Sequence, residues 1–474
     1  MRKTMQLQYK FLAIILTIML SCAQYGFAAF TLEDERKLGK EFYDKLDQNN
    51  FLIKDRQLND YITKIGNLVL AQSTKAPFNY TFSIVNSSAI NAFATPGGYI
   101  YIHKGLIAAV DTEAELAGVI AHELAHANAR HVASIIEKST RLSIATMAAI
   151  LAAAFLGGGG DAAAAVAAFS MAGASSLTLK YQREHEEEAD RLGITYLSQA
   201  GYNPGASVSF LRLIKRHEFL SKSIPSYLRT HPGTDERIFY LEGLILTQYT
   251  HAGKDQIIGN LTRMQALVPL STAELNVRQR QLNSALAKEP SNIDLLYALA
   301  LTEDRLGQTA AALNRLQKAL SLSPQDSDVL KNIGLIHLKM GNAEQARANL
   351  QKAADIDPRD EEIKLALGKA NFVLGNYREA LGNFMSVKTV LAGGEDINYH
   401  IAMAYGKMGS QGESHYHFGL HFKKGGKTQS ALFHFREALS YFPPNSATYA
   451  LISKEIKELT EPTPSRGKRP EKTK

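Results

Sequence analysis

The spacing of apolar residues predicts a helical start, a short β segment, and then helices to the end of the chain. From Leu32 to Leu70, Leu and Ile recur at helical spacing between charged residues, which predicts two helices. Tyr80 to Val85 alternates aromatic and β-branched residues with polar ones, and so does Asn91 to Ile102 around Pro96-Gly97-Gly98. That alternation, broken by turn formers, predicts a β-hairpin. Glu113, Leu116, Val119 and Ile120 return to helical spacing within Thr112 to Lys138, a run that reads as one long helix. Leu142 to Leu156 and Ala162 to Ala174 are apolar, with Gly157 to Gly160 between them. Each half is shorter than the roughly 20 residues that a spanning helix requires. A helical hairpin is therefore expected over 142–174, as a lid over a cleft, in the core, or dipping into a membrane surface.

Past residue 270 the punctuation becomes periodic. Pro290, Pro324 and Pro358 are 34 apart, and Gly307, Gly341, Gly375 and Gly409 keep the same step. That is the period of tetratricopeptide repeats, each a helix-turn-helix pair. Ala319, Ala353 and Ala370 fall where paired helices must approach closely. After Gly409 the step halves, to Gly426 and then Pro443, so one helix there is expected to serve two units. The predicted solenoid, residues 270–458, offers a concave face suited to binding proteins or peptides. Residues 460–474 carry prolines and surplus Lys and Arg with little apolar content, and are predicted to be a disordered basic tail.

Composition narrows the class. The 474 residues are 45% hydrophobic and 21% charged, as in a soluble protein of more than one domain. A net charge of +7 is mild for this length, and no nucleic-acid motif accompanies it. Arg2, Lys3 and Lys10 precede the apolar Phe11–Leu20, and Gly26-Phe27-Ala28 suits cleavage after Ala28. Residues 1–28 thus read as a signal peptide, with lipidation at Cys22, the only cysteine, or an uncleaved anchor as the competing fates. A mature chain without Cys22 has no disulfide, and packing and metal must stabilise it.

The chemistry concentrates in His122-Glu123-Leu124-Ala125-His126. Histidines four apart on a helix share a face and can present two imidazoles to one ion. Glu123 then points beside the ion, as suits a base that takes a proton from water. A third ligand from the extended metzincin motif is excluded, because Ala129 and Val132 stand where Gly and His are needed. His131 lies one place out and reads as a helix-face residue or one that supports a ligand. Glu186 and Asp190, also four apart, offer a carboxylate ligand and an acceptor that could orient a ligand histidine.

H-E-L-A-H followed by E-E-E-A-D-R-L-G resembles the gluzincin family that includes HtpX and the CaaX-processing metalloproteases. The resemblance implies one zinc ion held by His122, His126 and Glu186, with Asp190 as the partner behind them. It implies a sheet edge at Asn91-Ala92-Phe93-Ala94, where Asn91 and Ala92 touch substrate and an exposed strand can pair with it. Thr230-His231-Pro232 and Arg237 are similar to a family segment in which the histidine approaches the zinc as a gate and the arginine assists near the site. The fold expected is an α+β zincin-like metalloprotease domain, mostly helical with a small sheet, over 29–255, followed by the all-α solenoid. The exported, repeat-bearing branch of the family implies a periplasmic endopeptidase in outer-membrane protein quality control. Its repeats would recruit unfolded or stalled outer-membrane proteins and the barrel-assembly machinery, with peripheral membrane contact and no nucleic acid. The rival expectation is a chaperone or assembly factor with latent, histidine-gated proteolysis.

Overall fold

The computed structural model describes residues 30–73, 77–137, 144–155, 183–221, 224–249, 252–387 and 396–460. The expected leader with Cys22, the second half of the 142–174 hairpin with its glycines, and the tail beyond Thr460 lie outside the described residues. The chain divides into two compact units, Met1–Leu52 with Ile62–Gly259, and Ile53–Tyr61 with Asn260–Lys474. Among the described residues, no helix is long and apolar enough to cross a membrane.

In the first unit, α1 (Leu32–Gln48) starts at a capping box in which Thr31 and Asp34 satisfy each other's backbone amides. Its Leu38, Phe42 and Leu46, four apart, are fully buried on one face. After α2 (Arg56–Leu70) come β1 (Thr81–Val85), β2 (Ala92–Thr95) and β3 (Tyr99–His103). The sheet order is β1-β3-β2. The predicted hairpin is β2 with β3, Ala92 opposite Ile102, and its turn is Pro96-Gly97-Gly98. β1 stands outside the hairpin and joins β3 in parallel, Thr81 opposite Tyr99. Behind the sheet, Tyr101 stacks on Phe93 at 4.8 Å and takes the edge of Phe42 at 5.5 Å.

Two expectations need correction here. The edge strand β2 was expected to be exposed, yet none of its residues is more than 2% accessible. The helix Glu113–Asn128 lies against β2, and so does α6 (Ile144–Phe155), the described half of the apolar stretch. Its Met147, Ala148, Leu151 and Ala152 join Phe93 and Tyr101 in one core. The single helix expected over Thr112 to Lys138 is likewise two. After the short α3 (Lys104–Ala109), α4 runs Glu113–Asn128 and α5 runs His131–Glu137. The break is at Arg130, whose φ of 56° is left-handed. A non-glycine residue holds that conformation only when its surroundings enforce it. Here the Arg130 Nε donates to the buried Glu35 carboxylate on α1 at 2.6 Å.

Among the described residues this unit also has α7 (Arg183–Gln199), α8 (Ala206–Ser221), α9 (Ser226–Thr230) and α10 (Thr234–Gln248).

The second unit opens with α11 (Leu261–Leu267) and α12 (Thr272–Lys288), followed by antiparallel pairs. These are α13 (Ile293–Arg305) with α14 (Thr309–Leu322), α15 (Ser327–Lys339) with α16 (Ala343–Ile356), and α17 (Glu361–Val373) with α18 (Tyr377–Met385). Then come α19 (Ile397–Lys407), α20 (Gln411–Lys424), α21 (Thr428–Leu439) and α22 (Ala447–Thr460). The periodic glycines sit in the turns with φ between 68° and 82°, a conformation glycine adopts without steric cost. Ala319, Ala353 and Ala370 are fully buried at the helix contacts. Because the turns at Gly409 and Gly426 flank α20 on both sides, that helix packs against both α19 and α21.

Candidate metal centre

Helix α4 is the scaffold of the site, and its first turn is fastened twice. Thr112 accepts from the Glu115 amide, while the Glu115 carboxylate accepts from the amides of Asp111 and Thr112. Glu113 accepts from the Tyr202 hydroxyl at 2.8 Å and from the amides of Ile257, Ile258 and Gly259 at 2.6–2.8 Å. Every residue from Glu113 to His126 is buried, Leu116, Val119 and Ile120 among them, so α4 is a central helix covered on all sides. Helix α7 lies unusually close to it. A Cβ on Gly193 would stand 3.1 Å from the His122 backbone, so glycine is what allows α7 to bring Glu186 and Asp190 against the motif.

Four buried side chains converge. His122, His126, Glu186 and His231 each offer one ligand atom, all within 4.8 Å of one another. The Nε2 atoms of His122 and His126 are 3.0 Å apart, and they lie 3.5 Å and 3.4 Å from the Glu186 oxygens. His231 Nδ1 is 3.4 Å from His122 Nε2 and 3.0 Å from Glu186. Ligand bonds of about 2.0–2.1 Å around a tetrahedral zinc imply ligand-to-ligand separations of about 3.3 Å. The donor set therefore fits zinc in both chemistry and spacing.

The electrostatics agree. His122 Nδ1 sits 2.9 Å from Asp190, whose carboxylate the Arg237 guanidinium grips with two bonds of 2.7 Å. A third Arg237 nitrogen reaches Glu186 at 2.7 Å, and the Tyr240 hydroxyl donates to Asp190. Burial opposes charge on Glu186, but His231, Arg237 and the motif histidines outweigh it and hold the carboxyl well below its usual range. Asp190 is likewise lowered despite burial, chiefly by Arg237 and His122. Burial pulls His122 down, yet Asp190 and Glu186 prevail and lift it to about 9. Burial pushes His126 well below the ordinary value, against the pull of Glu186. The cluster thus draws positive charge inward, which is what a dication would satisfy.

Glu123 is fully buried, with neither oxygen hydrogen-bonded among the described residues, and it lies 3.5 Å from His231 Nε2. Burial raises its carboxyl, with His231 and His122 opposing. His231 is fully buried, and its ring stacks on Tyr227 at 4.4 Å. Asn91 and Ala92 are fully buried at the start of β2. Just before them, Ile90 accepts from the Tyr227 amide at 3.3 Å, so α9 rests at that end of the strand.

Sequence reasoning did not assign Tyr227, Arg130 or Tyr240, which carry no motif. His131 was noticed without a contact. The structure puts its Nδ1 2.8 Å from His126 Nδ1.

Comparison with known proteins bears on both units. The model of Peptidase family M48 matches residues 55–245, and a tetratricopeptide repeat model matches 261–405. The beta-barrel assembly-enhancing protease of Yersinia pestis is 32% identical over 213 residues, 44% of this chain and 44% of that one. Its namesake in Escherichia coli (strain K12) is 28% identical over 330 residues, 61% of this chain and 67% of that one. The mitochondrial metalloendopeptidase OMA1 of Schizosaccharomyces pombe is 28% identical over 182 residues, covering 38% of this chain and 51% of that one. The match to the Yersinia protein thus spans about half the length of that relative or less. The chain carries a domain of peptidase family M48 over residues 55–245, followed by tetratricopeptide repeats over 261–405.

Proposed function

We propose that the protein is an exported zinc metalloendopeptidase of the periplasm that works in the quality control and assembly of outer-membrane proteins. The observation that carries the hydrolytic reading is the convergence of His122, His126, Glu186 and His231 within 4.8 Å, with the Glu123 carboxylate beside them. Bound there, zinc would supply Lewis acidity to a peptide carbonyl and to water. Glu123 takes a proton from the attacking water and returns it to the leaving amine. Its buried, raised carboxyl suits both halves of that exchange. Asp190 holds His122 in the tautomer that presents Nε2, and Arg237 fixes Asp190 and Glu186 together. Asn91 and Ala92 mark where a substrate strand would pair once β2 is uncovered. The relatives' names, which speak of beta-barrel assembly, support the substrate class, and the repeats support recruitment of substrate or partner.

His231 favours a second aspect of this reading. As a fourth protein ligand it would take the position that a catalytic zinc leaves open. Resting activity is then low, and an assembly role carried by the repeats becomes the protein's main output. The experiment compares zinc content and cleavage of an unfolded outer-membrane protein by the purified chain, Glu123→Gln and His231→Ala. Glu123→Gln should keep its zinc and lose about 10²–10⁴-fold in kcat. His231→Ala should keep zinc and cleave faster. A wild-type chain without zinc, or a fully active Glu123→Gln, overturns the hydrolytic reading, and a slower His231→Ala overturns the gate.

A further inference from the structure

The two motif histidines are supported from behind in different ways, and the difference points to a residue with no assigned role. His122 turns its Nδ1 to the buried Asp190 carboxylate at 2.9 Å. His126 turns its Nδ1 to another ring, His131 Nδ1 at 2.8 Å. His131 is itself buried, stacks face to face on His185 at 4.4 Å, and places its Nε2 3.1 Å from the Glu188 carboxylate. Glu188 sits on the exposed side of α7 with its side chain 57% accessible. On a helix unbroken through position 131, residues five apart face different directions. The left-handed turn at Arg130 interrupts the helix between them, and the two rings meet.

Hydrogen bookkeeping sets the direction of the chain. His126 Nε2 faces His122 Nε2 and Glu186, so this nitrogen supplies the lone pair toward the metal position. A neutral imidazole that offers Nε2 carries its hydrogen on Nδ1 and must donate it. His131 Nδ1 is the acceptor at 2.8 Å, which leaves the His131 hydrogen on Nε2, where Glu188 accepts it.

We propose that His131 is the positioning residue for His126, fixing its tautomer and ring orientation through a histidine-to-histidine hydrogen bond anchored on Glu188. This inference rests on the zinc reading of the centre. His131 touches neither substrate nor metal, and its contribution is to metal affinity.

The test uses the purified full chain and measures zinc affinity by chelator competition, alongside thermal melting of the zinc-free form. His131→Leu removes the acceptor, and zinc affinity should fall about 10–100-fold, the usual effect of losing a ligand's outer partner. His131→Asn can place its carbonyl oxygen to accept from His126 Nδ1, and should recover most of that loss. Glu188→Gln, altering an exposed end of the chain, should cost less than His131→Leu. The zinc-free forms of His131→Leu and His131→Asn should melt together, which separates positioning from general packing. Wild-type affinity in His131→Leu, or equal weakness in His131→Leu and His131→Asn, overturns the proposal. A wild-type chain that binds no zinc instead sinks the reading of the centre itself.

Discussion

The two units use buried charge in opposite ways. In the first, Glu186, Asp190, Arg237 and three histidines crowd one point, and their contacts join residues far apart in sequence. In the repeats, buried cations are spaced out, and each ties one helix to its neighbours. Arg263 reaches Asp294 and Asp326, and Lys331 reaches Asp360 and Glu362. Asp326 and Asp360 are themselves the N-caps of α15 and α17, so each cation grips the start of another helix. Concentrated charge builds a site that can act on a ligand. Distributed charge fastens each helix pair to the next.

If that contrast holds, removing one centre of charge should hurt the first unit most. Arg237→Met leaves Asp190 and Glu186 buried without their guanidinium and should cost about 3–5 kcal/mol, read as a lowered denaturation midpoint. Lys331→Met should cost less, because one of its partners, Glu362, is 54% exposed and can be hydrated. Equal losses would break the contrast.

A smaller effect sharpens it through pH. His103 on β3 is fully buried, neither ring nitrogen finds a hydrogen-bond partner among the described residues, and burial alone pulls it down to about 3. The unfolded chain takes up this proton below about 6.5, whereas the folded unit refuses it until about 3. Stability from this group is therefore complete above pH 6.5 and is lost as pH falls toward 3, about 2 kcal/mol of it by pH 5. His103→Leu should flatten that slope in melting curves taken from pH 7.5 to 5. An unchanged slope removes His103 from the account.

The smallest effect belongs to the repeats. Gly341 has φ 79°, and a Cβ there would meet nothing within 4 Å, so Gly341→Ala isolates the backbone cost. About 1 kcal/mol is expected in a denaturant titration followed by circular dichroism. A much larger loss would mean the joints carry more than conformation.

The same contrast explains what could be read in advance. Repeat contacts are local, so the spacing of Gly307, Gly341 and Pro324 already carried the helix pairs and their turns. The helical spacing of His122 and His126, and of Glu186 and Asp190, likewise foretold which side chains share a face. What escaped depended on distant partners. Arg130 looks helix-compatible, and its left-handed turn depends on a partner, Glu35, that stands 95 positions earlier. The cover over β2 comes from α4 and α6, and nothing in Ala92-Phe93-Ala94-Thr95 announces it. β1 looks like part of a hairpin because parallel pairing leaves no local turn signal.

The Arg130 turn links places that never touch. Replacing Arg130 with glycine would relieve the backbone, yet it would also cut the tether to Glu35, so neither residue type serves both demands. The first helix of the unit thereby has leverage on the metal centre through one guanidinium, one reversed turn and one imidazole. Shortening the chain from its N-terminal side should consequently register as weaker zinc retention before any ligand is altered.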